Sequence, residues 1–137
     1  MVSSMLKSLA AGLTGGLLLA ALPLGAEEHD NVLFLDLASG RVVIEMRPDL
    51  APGHVARIKE LVREGFYDGV KFHRVIEGFM AQTGDPTGTG RGGSGKKLRA
   101  EFSDEPHVRG TLSMARSGHP DSADSQFFIV LDDAPHL

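Results

Sequence analysis

The sequence predicts a mainly β fold, an antiparallel sheet curled into a barrel with one helix against an end. Short β-branched and apolar runs recur with turn-sized gaps between them. A single stretch repeats its apolar residues at helical spacing, and 17 glycines with 7 prolines supply turns along the 137 residues. One helix and several hairpin-connected strands favour antiparallel pairing over a crossover sheet.

The first 26 residues differ from the rest. Lys7 is the only charge before Glu27, residues 9–24 are almost wholly apolar, and Pro23, Gly25 and Ala26 lead into Glu27-Glu28-His29-Asp30. That is the three-part layout of a secretory signal peptide. The apolar run is short and interrupted by glycine, so no stable membrane span is expected, an uncleaved anchor being the alternative. The expected organisation is a signal peptide over 1–26 and one domain over 27–137, periplasmic or secreted after cleavage near Ala26. The absence of cysteine excludes disulfides. A formal net charge of −4 gives no electrostatic case for nucleic acid as a partner.

Residues 32–37 (VLFLDL) and 41–46 (RVVIEM) flank Ala38-Ser39-Gly40 and read as a hairpin with a three-residue turn. Pro52 suits the first turn of a helix, where its missing N–H is no loss. Val55, Ile58, Leu61 and Val62 then recur at three to four residues among Arg57, Lys59, Glu60, Arg63 and Glu64, predicting an amphipathic helix stopped by Gly65. Residues 71–75 (KFHRV) and 78–82 (GFMAQ) read as two short strands pivoting at Glu77-Gly78, with Phe72 and Arg74 on one face. They gather a permanent cation, two large apolar groups and the Gln82 amide, a mixture suited to a shallow apolar pocket with a charged rim. Taken alone, the commoner reading is core aromatics beside a solvated arginine. The glycine-dense residues 84–97 predict a long loop and residues 101–107 an irregular connector. Residues 111–114 and 126–131 predict two further strands. Alternation sets Phe128 and Val130 opposite Phe127 and Ile129, so either face could be the core.

Several motifs mislead. Gly88-Thr89-Gly90-Arg91-Gly92-Gly93 satisfies G-x-G-x-x-G, and residues 90–96 resemble a phosphate-binding loop. Both need a strand before and a helix directly after, so that helix N–H groups meet the phosphate; no such helix follows, and Lys97 stands where a Ser or Thr should bind magnesium. The six histidines have no metal-ligand spacing, and no nucleophile elbow occurs. No metal or cofactor is expected.

FHRVIEGFMAQTGD, followed some thirty residues later by GTLSMARSGHPDSADSQFFI, resembles the cyclophilin family of peptidyl-prolyl isomerases, with a match extending over about residues 32–137. The resemblance implies an eight-stranded antiparallel barrel capped by two helices, cis–trans interconversion of X–Pro bonds, and proline-containing polypeptides as partners of a monomer. It makes Arg74 the catalytic guanidinium and Gln82 an anchor for the substrate backbone that also positions Arg74. Phe79, Met80, Phe128 and Leu137 become walls of the proline pocket. Ala115 and Arg116 match the segment whose main chain pairs with the peptide, and Gln126 lies on the neighbouring rim. His136 stands where many relatives carry tryptophan. The family's barrel continues past the position of Leu137, so the last strands and second helix are expected to be missing. A chain with those edges open should be unstable or aggregation-prone. The alternative function is a non-catalytic proline-peptide-binding or chaperone-like module.

Overall fold

The structure, a computed structural model, describes residues 30–137. The expected signal peptide and its cleavage region lie outside the described residues. Strands β1 (Val32–Leu37) and β2 (Gly40–Glu45) form the hairpin, with Leu37 opposite Gly40. The turn is therefore the two residues Ala38-Ser39 rather than three. Gly40, at a φ of +135°, closes the ladder instead of belonging to the loop. Asp36 and Arg41 face each other across the strands and join by two hydrogen bonds of 2.7 and 3.0 Å. The Arg41 guanidinium lies 4.8 Å from the centre of the exposed Phe34 ring.

Helix α1 (Pro52–Arg63) begins with its proline in the first turn and buries Ile58 and Leu61. Ala51 has no side chain with which to cap it. The carboxylate of Glu101 does so from 48 residues away, accepting from Gly53 N and His54 N at 2.9 Å each. The helix ends as predicted: Gly65 takes a φ of +70°, and Phe66 N donates back to Leu61 O at 3.0 Å. Lys59 Nζ donates to Asp30 Oδ2 and Asn31 Oδ1 at 2.9 Å, tying the helix to the start of the hairpin.

Strands β3 (Arg74–Ile76), β4 (Met80–Thr83), β5 (Leu112–Met114) and β6 (Phe127–Val130) form one antiparallel sheet in the order β3-β4-β6-β5. β3 is shorter than expected, because residues 71–73 lie outside the ladder. The Lys71 carbonyl is taken by Thr83 Oγ1 at 3.0 Å, and His73 sits beneath Gly90, so pairing starts at Arg74. Both faces of β6 are covered: Phe127 and Val130 point to opposite sides and both are buried. Tyr67 joins the turn after α1 to this strand, its hydroxyl donating to Ser125 O at 2.9 Å and its ring meeting Phe127 edge-on.

The barrel is not closed among the described residues. The hairpin and the four-stranded sheet remain separate sheets. Phe34, opposite Val43 on the hairpin, and Val75 on β3 are 54%, 63% and 61% exposed, so these faces are left largely uncovered among the described residues.

Candidate functional site

Register builds the site. Arg74 on β3 faces Gln82 on β4, Gln82 faces Phe128 on β6, and Phe128 faces Ser113 on β5. Directly paired residues share a face, so a cation, an amide and a phenyl ring line up across three strands. Arg74 Nη1 donates to Gln82 Oε1 at 3.3 Å, and Gln82 Nε2 donates to Gln126 Oε1 at 2.8 Å. Gln126 Nε2 in turn donates to the carbonyls of Gly90 and Gly92 at 3.0 and 2.8 Å.

Those carbonyls belong to the glycine-rich loop, whose shape is set by Asp85. Its carboxylate accepts from the N–H groups of Thr87, Thr89, Gly90 and Gly92 at 2.7–3.1 Å, and from the Thr87 hydroxyl. Burial alone would push the Asp85 carboxyl up. The donors of Thr87, Gly92 and Gly90 outweigh it and hold the group well below the usual carboxylate range. The loop is an anion-binding nest already filled by its own side chain, the physical reason its glycines need no phosphate. Gly84 admits a second close approach, since a Cβ there would meet Gln126 Cα at 2.8 Å and overlap the Ser125 carbonyl. Further along, Asp124 accepts from Ser94 N at 2.8 Å and Gly95 N at 3.1 Å. Burial pushes its carboxyl up, but the Ser94 bonds, Lys97 and Gly95 N hold it lower than usual.

The apolar part of the site lies beside the Arg74 row. Met80 is buried, Phe79 is half-buried, and the His136 ring packs on Phe79 with centroids 5.2 Å apart. Arg74, Phe79, Met80, Gln82, Ala115, Arg116, Phe128 and Leu137 all border one continuous hollow of about 1010 Å³, which runs on beneath β2 and α1. That volume exceeds what packed interiors leave and reflects the unclosed barrel. Gln126 and His136 stand outside its lining; the first is engaged with the loop, the second with Phe79. Ala115 N donates to Gln126 O at 2.9 Å and so extends the β5–β6 ladder. The Arg116 guanidinium lies 5.3 Å from the Phe102 ring centre and donates to Ser117 O.

Sequence reasoning missed His107. Its ring stacks on Phe128 at 6.1 Å, its Nε2 is 3.0 Å from Ser113 Oγ, and its carbonyl accepts from Ala134 N at 2.8 Å. His107 therefore backs the pocket and also ties down the segment bearing His136 and Leu137. A lone histidine in an irregular connector carries no local signal for either role.

This row of arginine, glutamine and phenylalanine on an antiparallel sheet defines a class. Residues 33–137 match the cyclophilin-type peptidyl-prolyl cis-trans isomerases, and the chain belongs to that family. A protein of Brucella suis biovar 1 named a probable peptidyl-prolyl cis-trans isomerase is 56% identical over 124 residues, covering 82% of this chain and 63% of its own. The chain thus spans less than two thirds of that relative's length. A cyclophilin from Hirschia baltica superposes with a TM-score of 0.71 at 32% identity, over 79% of this chain and 60% of that one. A Cryptosporidium parvum cyclophilin-type isomerase, crystallised in the presence of the dipeptide Ala-Pro, gives 0.73 at 33% identity, over 77% and 71%.

Proposed function

We propose that the protein is a peptidyl-prolyl cis-trans isomerase acting, as a monomer without cofactor, on X–Pro bonds of exported proteins. The observation that carries this reading is the alignment of Arg74 with Gln82 and Phe128 across neighbouring strands. Rotation about an X–Pro bond is slow because it breaks amide conjugation, with a barrier of about 18–20 kcal/mol. No nucleophile or proton donor is needed to lower it. As the bond twists, the proline nitrogen recovers its lone pair and becomes a hydrogen-bond acceptor.

A guanidinium held beside that nitrogen stabilises the twisted amide more than the planar one, and only this difference accelerates the step. Arginine suits the task because it stays charged and presents a planar fork of donors. Phe79, Met80, Phe128 and Leu137 supply an apolar seat for the proline ring, which keeps water from competing for the lone pair. By the family resemblance, main chain at Ala115 and Arg116 would pair with an extended peptide. The Ala-Pro dipeptide used with the Cryptosporidium parvum relative has the chemistry of such a substrate. Export rests on the signal-like layout of residues 1–26 and is checked by the N-terminus of the protein recovered outside the cytoplasm.

A protease-coupled assay on a proline tetrapeptide tests the activity. Kept folded and monodisperse despite its open sheet edges, the unmodified chain should turn over, and Arg74→Ala should remove most of that turnover. Peptide binding without turnover by the unmodified chain would overturn the proposal and leave a binding module.

A further inference from the structure

Gln126 has both of its amide hydrogens committed before any substrate arrives. Nε2 donates to Gly90 O and Gly92 O, so Oε1 must face the other way, towards Gln82. Only the Nε2 end of Gln82 can meet an acceptor there, which it does at 2.8 Å. That choice turns Gln82 Oε1 to Arg74 Nη1. Reversing either amide would set two acceptors or two donors against each other. The polarity of the whole row therefore starts in the loop. There Gly90 and Gly92 give their N–H groups to Asp85 at 2.7 and 3.1 Å while giving their carbonyls to Gln126.

We propose that Asp85 and Gln126 are positioning residues for the reaction, fixing through the loop carbonyls the direction in which the Gln82 amide points and hence the setting of the Arg74 guanidinium. This deepens the isomerase reading and rests on it for its effect on turnover. The relay leaves the unused Gln82 Nε2 hydrogen and the remaining guanidinium hydrogens uncommitted beside the site. Such donors recognise backbone carbonyls and an amide nitrogen that has become an acceptor.

Gln126→Glu separates positioning from scaffolding. At pH 7 the new carboxylate can accept from Gln82 but has no hydrogen for the loop carbonyls; protonated, it regains one. By NMR exchange on a proline peptide, kcat should fall about tenfold at pH 7 with KM within about twofold, the scale of one or two hydrogen bonds. The Gln82 side-chain NH2 and Arg74 guanidinium resonances should move with it. Acidification through the glutamic acid titration should restore both. Gln126→Ala should show the same loss without recovery, and the unmodified chain over the same pH range controls for Asp85 and for His73 beneath Gly90. Wild-type turnover and resonances in Gln126→Glu at pH 7, or a loss that acid does not reverse, would overturn the proposal. If the unmodified chain has no turnover, the isomerase reading fails. The Gln82 and Arg74 resonances then decide the relay alone, by moving in Gln126→Glu at pH 7 and returning in acid, or by failing to.

Discussion

Gly92 approaches Asp85 so closely that its N–H lies 3.1 Å from Oδ2, and a Cβ in its place would overlap Oδ1 and meet Thr87 Oγ1 at 2.8 Å. Glycine is required here for space. Gly92→Ala should lower stability by about 2 kcal/mol, the scale of overpacking in a tight site. Gly118, with no heavy atom of the described residues within 4 Å of its would-be Cβ, supplies the contrast. Gly118→Ala should be neutral or stabilising by up to about 1 kcal/mol through the unfolded chain. Urea midpoints for the two variants compare them directly, and equal losses would remove the loop's packing from the account.

The Asp85 carboxyl gives stability a predictable pH dependence. Its folded value lies below the unfolded one of 3.8, so its contribution is fully present above that pH and is lost as pH falls towards the folded value. Asp85→Asn places an NH2 among N–H donors and cannot form the nest. The variant should be clearly less stable than the parent at pH 6, with the gap narrowing as acid drops below about pH 4. Urea titrations at a series of pH values measure this; a constant gap would mean that the carboxylate's charge is not what orders the loop.

Glu101 makes a separate prediction, since it caps α1 from a distant connector. Glu101→Ala should cost about 1 kcal/mol, as loss of a helix cap does. Amide hydrogen exchange should quicken first at Gly53 and His54, ahead of Ile58 in the helix centre. Uniform quickening along the helix would instead report global unfolding.

Much of this architecture was legible from local pattern. The helical spacing of Val55, Ile58 and Leu61 and the Gly65 stop needed no distant partner, and both are in the structure. Arg74, Gln82 and Phe128 were tied to one site through the family resemblance, and their cross-strand register puts them in one row. The turn at Ala38-Ser39 was one residue shorter than expected because Gly40 reads as a turn residue whether it ends the loop or opens the strand. What stayed hidden depends on pairing across long separations. Nothing near Glu101 marks it as a cap, and nothing near His107 marks it as the backing of Phe128. The glycine-rich loop carried the opposite difficulty, a strong local signal for a phosphate site. The anion it cradles is Asp85, at the loop's own start.

The most direct test of the central claim measures catalysis and binding separately in Arg74→Ala. NMR exchange gives the catalysed rotation rate of a saturating proline peptide, and titration of the same samples gives Kd. The rotation rate should fall about 10²–10³-fold, the scale of removing a preorganised donor from a developing charge, with Kd changed by less than about threefold. A rotation rate within threefold of the parent, or a loss carried wholly by Kd, would contradict the central claim.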